Sequence, residues 1–231
     1  MKKSKIIKLT KDQEGRFNEF IDIMEVLYAV FMLWGIARIA EYFRISQGFV
    51  LDWQYVLPSI IAGFVLIRFF FAPVHNLKNI ALSTNGKGLG AASLQRILFV
   101  FDIPVLLLHS FIFYRMCYSI SKAAYPTFYK WYFLLLFLNS VWLLAIFIRM
   151  RFLKGQYCGQ HLIWAGNNFV HLLFFVVPVF ILPVFKININ IFVGPYYIYP
   201  LFFAATNCVI DLFLAAPFYL GFKEPVATIC D

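Results

Sequence analysis

Charge is what this sequence has least of. Asp, Glu, Lys and Arg make up 13% of 231 residues, and only eleven of those residues are acids. A soluble domain of this length covers its surface with polar side chains. A chain that is 62% hydrophobic, with mean hydropathy +0.79, lacks that cover. An aqueous globular fold is excluded. Cysteine is sparse too: Cys117, Cys158, Cys208 and Cys230 form no CxxC and are scattered too widely for a disulfide framework or a zinc site. His75, His109, His161 and His171 make no HxxxH pair, no GxSxG is present, and depth suggests no Cys–His pair. No enzyme activity, metal or cofactor is therefore expected. Gly86, Gly88 and Gly90 in STNGKGLGAAS (83–93) have membrane spans as neighbours instead of a strand and a helix start, so this loop reads as a flexible linker, not a phosphate cradle.

What the chain does have is long apolar runs. Six segments, roughly 20–43, 55–75, 97–120, 128–149, 163–185 and 196–222, each approach the ~20 residues that a bilayer-crossing helix needs. The expected fold is all-α: a polytopic bundle of six transmembrane helices over 20–222, with a basic segment at 1–19 and a short tail at 223–231. Lys and Arg set its orientation. With the N-terminus inside, thirteen lie in cytoplasmic segments (including Lys78, Lys87, Arg96, Arg149, Arg151 and Lys154) and four in outer loops. Both termini are then cytoplasmic, and the expected location is the cell's inner, cytoplasmic membrane. The formal charge of +9, placed beside apolar spans, fits topology and anionic lipid better than nucleic acid. Thr10 to Gln13 match a capping box, which predicts that the first helix begins in the cytosol. Pro104, Pro178, Pro183, Pro200 and Pro217 interrupt the later helices.

Few as they are, the charges are placed with a pattern. Arg16, Glu19, Asp22 and Glu25 stand three apart at the start of the first apolar run, and Arg38 and Glu41 repeat that spacing at its far end. Counting depth from the cytoplasmic face at ~1.5 Å per residue puts Asp22 and Glu25 within roughly 3–8 Å, Asp102 near 7 Å and Arg68 near 10 Å. His171 then lies near about 12 Å, Asp211 near about 16 Å and His109 near about 18 Å. Each would cost several kcal/mol against lipid, so these side chains should turn inward and find partners. Asp22 or Glu25 is the expected counter-ion of Arg68. The surplus of acids suggests a cation or proton site, or else a polar network that fixes helix register. His109, two turns after Asp102, shares its helix face, while Asn167, Asn168 and His171 read as helix–helix glue. Near the outer face, an Arg38–Glu41 pair that also holds Arg115 would act as a lock.

The stretch RFNEFID, Arg16 to Asp22, resembles the Arg-x-x-x-Phe-Ser-Asp motif opening the first helix of the endolysosomal-type potassium channel family. Its bacterial members have six helices per subunit and assemble as tetramers. VLPSIIAGFVLIR (56–68) is similar in character to that family's second helix. The resemblance implies that Arg16, Phe20 and Asp22 are the motif residues and that Leu27 sits at the pore's narrowest point. Ile21 replaces the motif's serine, Glu25 stands at an apolar position, and Val30 replaces a hydroxyl, so potassium selectivity is not implied. The functional expectation is an oligomer with a cation-permeable path, gated by the apolar Leu27, Val30 and Phe31 and lined by the inner-leaflet polar groups. The alternative is a non-transporting anchor or sensor. Its basic tail and the loop at 76–96 would then recruit a cytosolic protein. The bilayer and further copies of the chain are the other expected partners.

Overall fold

The computed structural model describes residues 11–45, 56–68, 89–154, 159–187 and 198–219. Among them every regular element is helical: α1 (Lys11–Ile45), α2 (Val56–Arg68), α3 (Leu89–Ser121), α4 (Tyr125–Lys154), α5 (Gly159–Val176) and α6 (Ile198–Tyr219). α5 runs on through a π turn, Val177–Ile181, into a last α turn at Leu182–Val184. Four stretches are long and apolar enough to cross a membrane: Asp22–Glu41, Phe101–Ser121, Tyr125–Arg149 and His161–Val184. This is a multi-pass membrane protein. Val56–Arg68 and Ile198–Leu214 are apolar but shorter. At ~1.5 Å per residue the first covers about 20 Å of a core about 30 Å thick, so its described part falls short of the full span expected at 55–75.

The 35 residues of α1 rise about 52 Å, well beyond that core, so the helix extends past a single span. Thr10, its expected cap, lies outside the described residues, as do the rest of the tail 1–10, most of the loop 76–96 and residues 223–231. α3 begins at Leu89, earlier than the expected 97, so the end of the 83–93 loop is helix. The run LGAAS explains this: Leu and Ala are strong helix formers, and a glycine in the first turn is tolerated.

Consecutive long helices pack on one another, α1 on α3, α3 on α4, and α4 on α5, with α6 against α5 and α4. Lys122 to Ala124 reverse the chain between α3 and α4. The Ala124 N–H bonds the Ser119 carbonyl at 2.9 Å and the Ala123 N–H bonds that of Ile120 at 3.0 Å, with Ala123 left-handed at φ 55°. That is a Schellman closure with alanine where glycine is usual. α5 ends the same way on Lys186, φ 63°, whose N–H reaches the Pro183 carbonyl at 2.9 Å while Ile187 reaches Leu182 at 3.0 Å.

The core is aromatic. Phe113, Phe128, Tyr129, Tyr132 and Phe133 from α3 and α4 are fully buried, and the Phe133 ring stacks on Phe175 of α5 with centroids 4.3 Å apart. Tyr28 and Met32 of α1 and Ile61, Ala62 and Val65 of α2 complete it. Gly35 brings α1 close to α3: a Cβ there would lie 3.0 Å from the Phe113 ring.

Pro178 has no N–H to give the Phe174 carbonyl four residues back, and the Tyr199 hydroxyl of α6 donates to that oxygen at 2.7 Å. Removing it in Tyr199→Phe should cost about 1 kcal/mol and lower the thermal midpoint in detergent by a few degrees.

Candidate functional site

The expected inner-leaflet cluster is divided between two places. The first gathers four helices around Arg68, the last residue of α2. Its Nη1 donates to Asn207 Oδ1 at 3.1 Å, its Nη2 to Asn168 Oδ1 at 2.6 Å, and Nη2 also lies 3.2 Å from Asp211 Oδ1. The Tyr132 hydroxyl of α4 donates to Asn207 Oδ1 at 2.8 Å and lies 3.2 Å from the Ala204 carbonyl and 3.5 Å from Cys208 Sγ. Asn207 Nδ2 stands 3.5 Å from Asn168 Oδ1. All of these side chains are buried.

The carboxylate set against Arg68 is thus that of Asp211 on α6, where Asp22 or Glu25 of α1 was expected. Arginine's reach explains it: a side chain about 6 Å long spans the difference between the two estimated depths, and the guanidinium fork takes amide and carboxylate oxygens together. Asp22 is exposed and Glu25 half-buried. Asn168 and Asn207 are the network's amides, and Tyr132 is a member that depth counting had no means to find.

The second place joins α3 to α4. Arg149 Nη1 pairs with Asp102 Oδ2 at 2.9 Å, and Trp142 Nε1 donates to Asp102 Oδ1 at 2.9 Å. The His109 ring meets Trp142 edge-on at 5.7 Å, with its Nδ1 2.8 Å from the Val105 carbonyl. Asp102 and His109 therefore share one helix face, as their spacing predicts, and Trp142 touches both. Arg149, counted as a cytoplasmic charge from the sequence, is nearly buried as the partner of Asp102. His171 turns back on its own helix, with Nδ1 2.7 Å from the Asn167 carbonyl.

At the other end of α1, Arg38 Nη1 bonds Glu41 Oε2 at 2.7 Å. The guanidinium of Arg115, expected to share Glu41, lies over the rings of Trp131 at 5.3 Å and Tyr118 at 5.8 Å instead. Glu41 is already engaged by its neighbour one turn back, and an aromatic face is a good alternative for arginine. The gate residues Leu27, Val30 and Phe31 lie on the outward side of α1. Of the motif residues, the side chains of Arg16 and Phe20 lie outside the described residues. Among the described residues no group of His, Cys, Asp and Glu is arranged to hold a metal ion.

No family model, curated protein or solved structure matches the chain.

Proposed function

We propose that the chain crosses the cytoplasmic membrane six times with both termini inside, and that copies of it assemble around α1 to form a cation-permeable path. The observation carrying this reading is the outward face of α1. Its inner stripe, Met24, Tyr28, Met32 and Gly35, is buried against the bundle. Only 22% of its apolar window is buried, against 50% for α3 and α4. Leu27, Val30 and Phe31 are 43%, 56% and 37% exposed, below them stand the exposed acids Glu19 and Asp22. In an oligomer with α1 at its axis, the acids would concentrate cations at the mouth and the apolar ring would gate by dewetting. In the potassium channel family whose motif RFNEFID resembles, the first helices surround the pore, which supports the same role for α1.

Reconstituted in liposomes, the wild type should pass potassium or sodium above the empty-vesicle rate. Leu27→Ala should raise the flux several-fold by widening the apolar ring, and Asp22→Asn should lower it. A monomer in detergent that passes no ion would sink the pore reading.

One observation favours the second reading, a non-transporting anchor or sensor. Asp211 and Asp102 each face a buried arginine, so neither needs a transported cation to balance it. That reading predicts no flux, together with loss of a bound cytosolic protein when the basic tail is deleted.

A further inference from the structure

The Asp102–Arg149 pair closes one end of a groove of about 560 Å³ between α3 and α4, walled by Val105, Leu138, Val141 and Ala145. The groove is almost wholly apolar, and its volume falls within the usual range for small-molecule sites. From Leu138 to Arg149 the helix rises about 16 Å, half of a hydrocarbon core about 30 Å thick. Arg149 is the final residue of the apolar stretch Tyr125–Arg149, so the groove runs from mid-membrane to one headgroup layer.

Its polar end is unevenly satisfied. Both oxygens of Asp102 are engaged, one by Arg149 Nη1 and one by Trp142 Nε1, each at 2.9 Å. Arg149 Nη2 is buried and has no acceptor among the described residues. An arginine nitrogen without an acceptor is costly, and a phosphate oxygen is the acceptor that its forked geometry suits best. Among the described residues lining the groove Asp102 is the one acid, and its pairing with Arg149 removes most of its repulsion for an anion.

We propose that this groove binds an anionic phospholipid, with one acyl chain along α4 and the phosphate held by Arg149. The site rests on the membrane location alone, whether or not ions cross the protein.

The test is thermal unfolding of the full chain in a neutral detergent, titrated with phosphatidylglycerol or with phosphatidylcholine of the same chains. Phosphatidylglycerol should raise the midpoint and phosphatidylcholine should not. Ala145→Trp fills the groove from its exposed side and leaves the ion pair intact. Arg149→Lys keeps the charge and loses the fork. Each should raise the half-maximal phosphatidylglycerol concentration about tenfold, the loss expected for one charge-assisted contact. Equal responses to both lipids, or an unchanged response in Ala145→Trp, would overturn the site. So would inorganic phosphate reproducing the full shift, because the apolar groove would then have no part in binding.

Discussion

Asp211→Leu is expected to destabilise the folded bundle by about 3 kcal/mol, and Arg68→Met by a similar amount. Each takes one charge from a pair 3.2 Å apart in the protein interior and leaves the other in a medium that solvates it poorly. Arg68→Met also removes the donor from Asn168 and Asn207, whose side chains are fully buried. The double variant Arg68→Met/Asp211→Leu should recover most of the loss, because an apolar pair of similar volume needs no solvation. The measurement is unfolding in mixed micelles, run as a double-mutant cycle. A coupling energy below about 0.5 kcal/mol would mean that the two residues stabilise the protein independently and that the four-helix junction is not organised by their charge. Tyr132→Phe probes the network from the side of α4: it deletes the hydroxyl that donates to Asn207 and lies against the Ala204 carbonyl and Cys208 Sγ, and should cost about 1 kcal/mol.

These networks mark the boundary of what the chain reveals before it is folded. The helices were legible because a run such as VWLLAIFI leaves no choice of solvent, and because the ~20-residue scale of a bilayer is a strong ruler. Position along each helix was legible for the same reason: Arg68 ends α2, Asp102 lies at the start of the apolar stretch Phe101–Ser121, and Asp211 lies near the end of Ile198–Leu214. Rotation was not. α3 and α4 are apolar on every side, so no polar face indicates which way Asp102 turns or which neighbour Arg68 meets. Depth gives a residue's height but not its azimuth, and the acids of α1 are as plausible in height as Asp211. A clue lay in Asn207, one turn before Asp211: an amide and a carboxylate on one face of an apolar helix need a partner with many donors, which describes arginine. Arg149 was hidden for a different reason. It stands where a span meets its loop, a position where arginine ordinarily serves topology, and nothing in its neighbours shows that it reaches back to Trp142's partner. Trp142 itself looks like one more apolar residue until its indole N–H is given somewhere to go.

The position of Arg149 at a helix end also makes the second ion pair asymmetric. Asp102→Leu frees an arginine that is close to the headgroups and long enough to turn toward them, so the loss should be only about 1 kcal/mol. Arg149→Met strands a carboxylate that has no comparable reach. Asp102 is buried, keeps only the Trp142 indole as a donor among the described residues, and sits on a short side chain. That variant should lose about 3 kcal/mol. The ordering separates this pair from the Arg68 pair, where both residues lie deep and the two single losses should be alike. Unfolding midpoints of the four single variants in one detergent give the comparison directly. Equal losses for Asp102→Leu and Arg149→Met would place Arg149 too deep to reach the surface, and with it the end of the lipid groove. A larger loss for Asp102→Leu would mean that the guanidinium cannot leave the interior once its carboxylate is gone. The predicted order follows from side-chain length alone: the charge that can reach water is the one whose partner can be removed cheaply.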